Sequence, residues 1–153
     1  MRNLAVWLLC MAVHGLASAT WVFLGFDNAN TAEYYDPAIE NRGKTSVLKS
    51  FSQKPVADMV PIYDPQKPEK YQLQNFRAEQ SNYEFDCKNK SMQLVSRTFY
   101  SDVRGNFPVV THTAKDKAIE EGNSDFARQF RPVAVNPRSG KNTRLMALAC
   151  AGQ

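Results

Sequence analysis

The first nineteen residues predict that this chain is exported, and export decides which bonds its later cysteines can form. Met1–Asn3 carries one positive charge, Leu4–Val13 is apolar throughout, and Ala17–Ala19 has the small-x-small pattern that signal peptidases cleave. The apolar run is too short to span a bilayer, which needs about 20 residues. We therefore expect a signal peptide over residues 1–19 and a mature domain over residues 20–153. A short N-terminal helix buried in the core is the alternative.

Removal of the signal peptide leaves two cysteines, Cys87 and Cys150. Cys10 is a poor acceptor for a lipid, because it lies deep in the apolar run behind two leucines instead of a small residue. Disulfides persist outside the cytosol, and one pair allows a single intramolecular bridge. That bridge would close a loop of about 64 residues, which the chain-entropy model converts to about 4 kcal/mol of stabilisation. A redox or metal role is the alternative, disfavoured because the mature chain has no C-x-x-C motif and a single histidine, His112.

The composition of the mature chain suits one small domain. Residues 20–153 are enough to bury one hydrophobic core. Without Arg2, 18 basic and 15 acidic side chains remain, so the net charge is slightly positive. This excess favours contact with anionic surfaces but is far below that of a nucleic-acid-binding domain. We expect no nucleic-acid partner and no transmembrane segment in the mature chain.

Short runs of aromatic and β-branched residues between turn residues predict an antiparallel sheet. The predicted strands are Trp21–Phe26, Ala32–Tyr35, Thr45–Gln53, Tyr83–Cys87, Met92–Tyr100 and Phe107–Thr113. The segment Pro55–Gln74 contains four prolines, each of which removes a backbone donor. We therefore expect this segment to be a long loop.

The end of the chain changes to a helical period. Asn136 before Pro137 predicts a helix start, because Asn caps free amides and Pro suits the first helical position. Gly140 weakens the beginning, so the secure part of the helix starts near Lys141. An apolar stripe with helical spacing then precedes Cys150: Leu145, Leu148 and Ala149.

An ordered set of motifs covers nearly all of the mature chain. The set is Tyr35-Asp36-Pro37, Tyr83-Glu84-Phe85-Asp86-Cys87, Phe99-Tyr100-Ser101, Pro108-Val109-Val110, Phe130-Arg131-Pro132-Val133 and a final helix ending in Cys150. This order resembles the bacterial surface-adhesin E domain family, named for a Gram-negative outer-membrane adhesin. The resemblance implies an α+β fold: a curved antiparallel sheet of about six strands with a C-terminal helix packed on it and held by a Cys87–Cys150 disulfide. The chain departs from the family in two respects, since Phe130 stands where relatives often carry tryptophan and no usable lipid-accepting cysteine is present.

The resemblance implies an exported cell-envelope binding protein, located in the periplasm or at the outer-membrane surface. Binding to host extracellular-matrix or serum proteins is the first hypothesis. The alternative is a non-catalytic periplasmic module that docks onto another envelope protein, or onto its own copy as a homodimer. Basic residues close to aromatic ones can bind acidic partner segments through charge and stacking. The candidate contacts are the Pro55–Gln74 loop with its Tyr63 and Tyr71, and four basic residues on and near the central hairpin: Lys88, Lys90, Arg97 and Arg104.

The sequence favours no catalytic, cofactor or metal site. A nucleophile–histidine arrangement would have to use His112. His112 lies in a predicted strand, where we expect a half-exposed sheet residue. The adjacent Glu120 and Glu121 are expected on a surface turn and not in a shared cleft. The sequence shows no glycine-rich phosphate loop and no metal-ligand spacing.

Overall fold

The computed structural model describes residues 20–122 and 124–152. The predicted signal peptide and Cys10 lie outside the described residues. Within them, eight strands form one sheet and three short helices accompany it. The strands are β1 (Val22–Phe26), β2 (Ala32–Tyr35), β3 (Glu40–Arg42), β4 (Thr45–Asp64), β5 (Lys67–Asp86), β6 (Ser91–Tyr100), β7 (Pro108–Thr113) and β8 (Val133–Ala134). The helices are α1 (Lys117–Glu120), α2 (Asp125–Arg128) and α3 (Gly140–Ala149).

All strand pairs of the sheet are antiparallel, and its main order is β1-β2-β4-β5-β6-β7. β3 pairs with β4, and β8 pairs with β6. The predicted α+β class with an antiparallel sheet and a C-terminal helix is confirmed. The six strands of the main order correspond to the six predicted ones. β3 and β8 have three and two residues, too few to produce a detectable alternation in the sequence.

The main hydrophobic core lies between one face of the sheet and the helices. Leu48 of β4 and its register partner Tyr83 of β5 point to this face. Leu145 and Ala149 of α3 cover them and are almost fully buried, with Leu148 partly buried beside them. The predicted apolar stripe of the helix is therefore the side that packs on the sheet.

The predicted disulfide joins the end of this helix to the end of β5. Cys150 is the C-cap residue of α3 and is bonded to Cys87, with an S–S distance of 2.02 Å and a Cα–Cα distance of 5.7 Å. Among the described residues, no helix has the length and apolar character needed to cross a bilayer.

The first turn of α3 is attached to the sheet by a largely buried ion pair. Lys141 Nζ lies 2.6 Å from Glu33 Oε2 on β2. Ser52 of β4 donates to the same carboxylate oxygen at 2.6 Å and accepts from Lys141 Nζ at 3.2 Å. One turn later, Arg144 Nη1 donates to the carbonyl of Leu24 on β1 at 2.9 Å. The helix is thus held at its beginning by charge and at its end by the disulfide.

The helix starts later than Asn136 and Pro137 suggest. Asn136 Oδ1 accepts from the amide of Arg138 at 2.9 Å, so this side chain closes its own turn instead of capping the helix. Ser139 is the N-cap residue and the helix begins at Gly140. The prediction of the helix is confirmed, whereas the predicted cap is wrong.

The prediction of a loop over Pro55–Gln74 is also wrong, because this segment continues β4 and β5 into a hairpin of two 20-residue strands. The pairing is interrupted at residues 54–57, where the register shifts, and Pro55 lies in this bulge. Pro65 lies in the tight turn between the strands. Pro61 lies where β4 has a partner strand on one side only, and an edge tolerates a missing donor.

Candidate functional site

The outer halves of β4 and β5 form a two-stranded ribbon that extends beyond the rest of the sheet. This distal ribbon consists of residues 54–64 and 67–77. β2 pairs with β4 as far as Gln53, and β6 pairs with β5 from Ala78 onward. In the described part of the chain the two outer halves therefore pair only with each other. Two strands alone are marginally stable in water, so packing against other elements must fix the ribbon.

Apolar contacts hold the distal ribbon against β6 and β7. Val60 and Phe76 are nearly fully buried and pack with Phe99 of β6, and the ring centroids of Phe76 and Phe99 are 4.7 Å apart. His112 Nε2 of β7 lies 2.8 Å from the carbonyl oxygen of Pro61. The ribbon is therefore anchored along one side.

His112 is buried beneath the ribbon and is only 3% exposed, so the predicted half-exposed position is wrong. Burial lowers the pKa of His112 below its ordinary value, and the Pro61 carbonyl and the Asp116 carboxylate only partly oppose this shift. The neutral ring can donate its Nε2–H to Pro61, while Nδ1 lies 3.8 Å from Asp116 Oδ2. In this position the imidazole fastens the ribbon to β7.

The other side of the distal ribbon exposes apolar surface. Val56 is 72% exposed, Met59 61%, and Tyr71 and Leu73 58% each. The strand register places Met59, Leu73 and Tyr71 on one face. Large apolar side chains that are grouped, instead of scattered singly, mark interaction sites.

The two tyrosines of the predicted site lie together at the end of the ribbon. Tyr63 and Tyr71 are register partners, and their rings meet edge to face with centroids 5.9 Å apart. The ring of Tyr63 also packs on His112 and Phe126, at 5.6 and 6.5 Å. Tyr63 is therefore a half-buried anchor, and Tyr71 is the exposed partner.

Tyr63 lies between two clefts. The first has a volume of about 680 Å³ and lies on the ribbon itself, beside Lys70 and Tyr71. The second has a volume of about 470 Å³ and separates the ribbon turn from β7 and α1. Its walls include Pro65, Pro68, Val110, Thr111, Lys115 and Lys117. Both volumes fall in the range of ligand sites, about 300–1,000 Å³.

The rim of the second cleft carries two exposed lysines. Among the described residues, no carboxylate lies within 4.0 Å of the ammonium group of Lys115 or Lys117. Asp116 between them accepts from the amide and the hydroxyl of Thr113 at 2.8 and 2.9 Å. Its carboxylate therefore closes the end of β7, while the lysines are available to a partner.

Arg97, another predicted contact, makes internal hydrogen bonds on the helix-covered face. Its guanidinium donates to Ser81 Oγ at 2.9 Å, to Tyr83 OH at 3.2 Å and to Gln129 Oε1 at 2.8 Å. Burial would lower the pKa of Arg97, but the charge of Glu79 and the Tyr83 hydroxyl outweigh burial and raise that pKa. With only 13% of its side chain exposed, Arg97 supports the fold first.

Lys88 and Lys90 are exposed in the turn between β5 and β6, next to Cys87. Asp86 shapes this turn by accepting from the amide and side chain of Asn89 at 2.9 and 2.7 Å. The backbone amide of Asn89, followed by its side chain, lowers the pKa of Asp86 below its ordinary value. Lys90 has φ +52° and its carbonyl accepts from Val135. The two lysines are accessible but lie at the opposite end of the 20-residue strand β5 from the ribbon turn.

Arg104 is exposed in the connection between β6 and β7. Asp102 organises this connection, because its carboxylate accepts from the amides of Arg104, Asn106 and Phe107 at 2.9 to 3.1 Å. Gly105 has φ +75°, and an added Cβ would lie 2.9 Å from a ring carbon of Phe51. Only glycine fits this close approach.

The structure thus distributes the six predicted contacts over four places: Tyr63 and Tyr71 lie together, Lys88 and Lys90 share one turn, and Arg97 and Arg104 lie apart from both pairs. Sequence reasoning included the Pro55–Gln74 segment among the candidate contacts but did not single out the exposed Met59 and Leu73, because it treated the segment as a loop. A signal existed in the alternation that continues through the prolines, in which Val60 is buried while Met59 is exposed. This mixture of buried and exposed apolar residues is expected for a ribbon that packs against the sheet along one side only.

Comparison with known proteins places these features in a family. Residues 21–151 match the family model described as surface-adhesin protein E. Solved structures of Haemophilus influenzae protein E are similar: one at 13% identity, covering 84% of this chain and 85% of that chain with a TM-score of 0.49, and crystal form II at 14% identity, covering 78% and 80% with a TM-score of 0.47. The search of curated proteins returned no match. The match over nearly the whole described chain shows that this protein belongs to the surface-adhesin protein E family.

Proposed function

We propose that this protein is an exported surface adhesin that binds a host extracellular-matrix or serum protein through the distal ribbon. Membership of the surface-adhesin protein E family supports the class of surface adhesin. The observation that carries the choice of site is the exposed apolar face formed by Met59, Leu73 and Tyr71. This proposal includes export by cleavage after Ala19.

The distal ribbon suits binding because it combines exposure with rigidity. Val60 and Phe76 fix its covered side, so its exposed side is presented without a large ordering cost. Binding energy concentrates in a few large side chains that become desolvated in the complex. Tyr71 in particular offers a broad ring with a polar hydroxyl, a combination enriched in interfaces.

The test is binding of the intact exported protein to immobilised matrix proteins and serum proteins at physiological salt. Met59→Ser combined with Leu73→Ser should weaken binding about ten-fold or more, because truncated hot-spot residues typically cost more than 1 kcal/mol each. A matched control is Val103→Ser combined with Val133→Ser, which changes two exposed valines outside the ribbon. The control should bind like the unmodified protein. An equal loss in both variants would contradict the assignment of the site.

Location is tested separately by protease treatment of intact cells. A surface adhesin should be degraded under conditions that spare periplasmic markers, and the mature N-terminus should be Thr20. The alternative is a periplasmic module. It would be supported if the protein is protected from protease in intact cells, binds no host protein and co-purifies with an envelope protein.

A further inference from the structure

We infer that the open edge of β7 beside Tyr63 binds an extended peptide segment of the partner by strand addition. This inference rests on the proposed function in one respect only, since it takes the partner to be a protein. It names a second contact, distinct from the exposed apolar face of the ribbon, and the chemistry of that contact.

The hydrogen bonds of β7 show which of its backbone groups are unused. The amide of Ala114, just after the strand, donates to Val95 of β6 at 3.0 Å. Because strand residues alternate, His112 and Val110 also direct their amides and carbonyls toward β6. Thr111 therefore directs its amide and carbonyl to the opposite side, whereas Val109 lies at the register shift between Phe99 and Tyr100, where the alternation is interrupted.

The end of the strand confirms this direction. Thr113 has the same orientation as Thr111, and its amide donates to Asp116 Oδ2 at 2.8 Å while its carbonyl accepts from the amide of Asp116 at 3.1 Å. Asp116 thus occupies the open edge at Thr113. At the other end Pro108 has no amide, and the alternation is interrupted at Val109. Thr111 remains with a complete backbone pair on the open side, and in the described part of the chain no strand pairs with this edge of β7.

The open edge borders the 470 Å³ cleft, which provides space for a bound strand. Val110, Thr111 and Tyr63 line this cleft together with Pro65 and Pro68 of the ribbon turn. An extended peptide beside Thr111 would form main-chain hydrogen bonds, as in other cases of strand addition. One of its side chains would enter the cleft and contact the Tyr63 ring.

The shortness of the edge also selects the kind of ligand. Edge strands with Pro and Lys neighbours resist uncontrolled pairing, and β7 has Pro108 at its start and Lys115 just beyond its end. A long sheet edge from another molecule would meet both obstacles. A short extended segment that pairs with Thr111 meets neither.

The probe for this inference is a phage-displayed library of random dodecapeptides selected on the immobilised protein. Selected peptides should bind the unmodified protein and Thr111→Val, which keeps the backbone amide. They should bind Thr111→Pro about two- to ten-fold more weakly, because the one main-chain hydrogen bond that is lost accounts for a factor of this size. Thr111→Pro should fold, since the lost amide points away from β6.

Hydrogen exchange on the unmodified protein gives a test that does not depend on this variant. A bound peptide should slow exchange of the Thr111 amide, whereas the His112 amide is already engaged with β6. N-methylation of every second amide of the peptide should abolish binding when the methylated amides are those that face β7. Methylation of the other set of amides should leave binding intact.

Four results would overturn the inference: a selection without binders, equal binding to Thr111→Pro, equal loss in Thr111→Val, or a concentration-dependent dimer that Thr111→Pro abolishes. The last result would assign the edge to a second copy of the chain. Peptide binding at β7 without any binding of host proteins would leave this inference standing and refute the proposed function. Host-protein binding that survives Thr111→Pro and is lost with Met59→Ser and Leu73→Ser would do the reverse.

Discussion

Replacing Lys141 by methionine should destabilise the protein strongly, because it leaves a buried carboxylate without its cation. Glu33 is 5% exposed and lies 2.6 Å from Lys141 Nζ. Breaking a buried pair by removing one partner costs about 3–5 kcal/mol. A quarter of the Lys141 side chain is exposed, so we expect the lower end of that range, about 3 kcal/mol.

Urea unfolding followed by fluorescence measures this cost. With a slope of about 2 kcal/mol per molar urea, typical of a small domain, the midpoint should fall by about 1.5 M. Lys88→Met is the matched control, because Lys88 is exposed and has no carboxylate within 4.0 Å among the described residues. The control should change the free energy of unfolding by no more than about 0.5 kcal/mol.

A double-mutant cycle separates the ion pair from the loss of packing. Glu33→Gln in the unmodified background leaves the cation, which can reach solvent, and should cost about 1 kcal/mol. In the Lys141→Met background the same change removes the unpaired charge and should restore stability. Additive costs, or a cost of Lys141→Met below about 1 kcal/mol, would refute the reasoning that this pair attaches α3 to the sheet.

Four further predictions concern other features of the fold. Cys150→Ser should lower the free energy of unfolding by about 4 kcal/mol, because the bridge closes a loop with a sequence separation of 63 residues. Calorimetry of this variant and of the unmodified, oxidised protein measures the difference. The lowered pKa of His112 means that the unfolded state takes up its proton first as pH falls below about 6.5. The free energy of unfolding should therefore decrease with falling pH until the pKa of His112 in the folded state is passed. His112→Gln should flatten this part of the plot of urea midpoint against pH. Gly105→Ala should cost about 1–3 kcal/mol because of its positive φ and the contact with Phe51. Gly140→Ala, which meets no atom within 4 Å at the start of α3, should gain about 0.4–1 kcal/mol in the same assay.

The features that sequence reasoning predicted correctly are those decided locally. The alternation around Tyr83 and Leu94 is reproduced as a hairpin, because every second side chain there is buried against α3 and its neighbours. The cysteine pair was predictable because it allowed a single bridge. Phe130 fills the core at 2% exposure, so an aromatic residue is retained at that position despite the departure from the family pattern.

The features that sequence reasoning missed are decided by long-range packing. Pro55 and Pro61 would exclude a strand only if it needed backbone donors on both sides. In this region β4 pairs with β5 alone, so the missing donors are tolerated. The burial of His112 depends on the ribbon that folds over β7, where its partner Pro61 lies 51 positions earlier in the chain. The burial of Arg97 likewise depends on Gln129 and Glu79, which no local pattern connects.

The Cys87–Cys150 bond has a mechanical consequence for a molecule that is pulled at the two ends of the domain. Tension applied between Thr20 and Cys150 passes through residues 20–87 and then directly across the bond. The enclosed residues 88–149, including β6, β7 and α3, carry no load along their backbone. Shear can therefore peel away the N-terminal strands while the covalent ring keeps the remainder within a short tether.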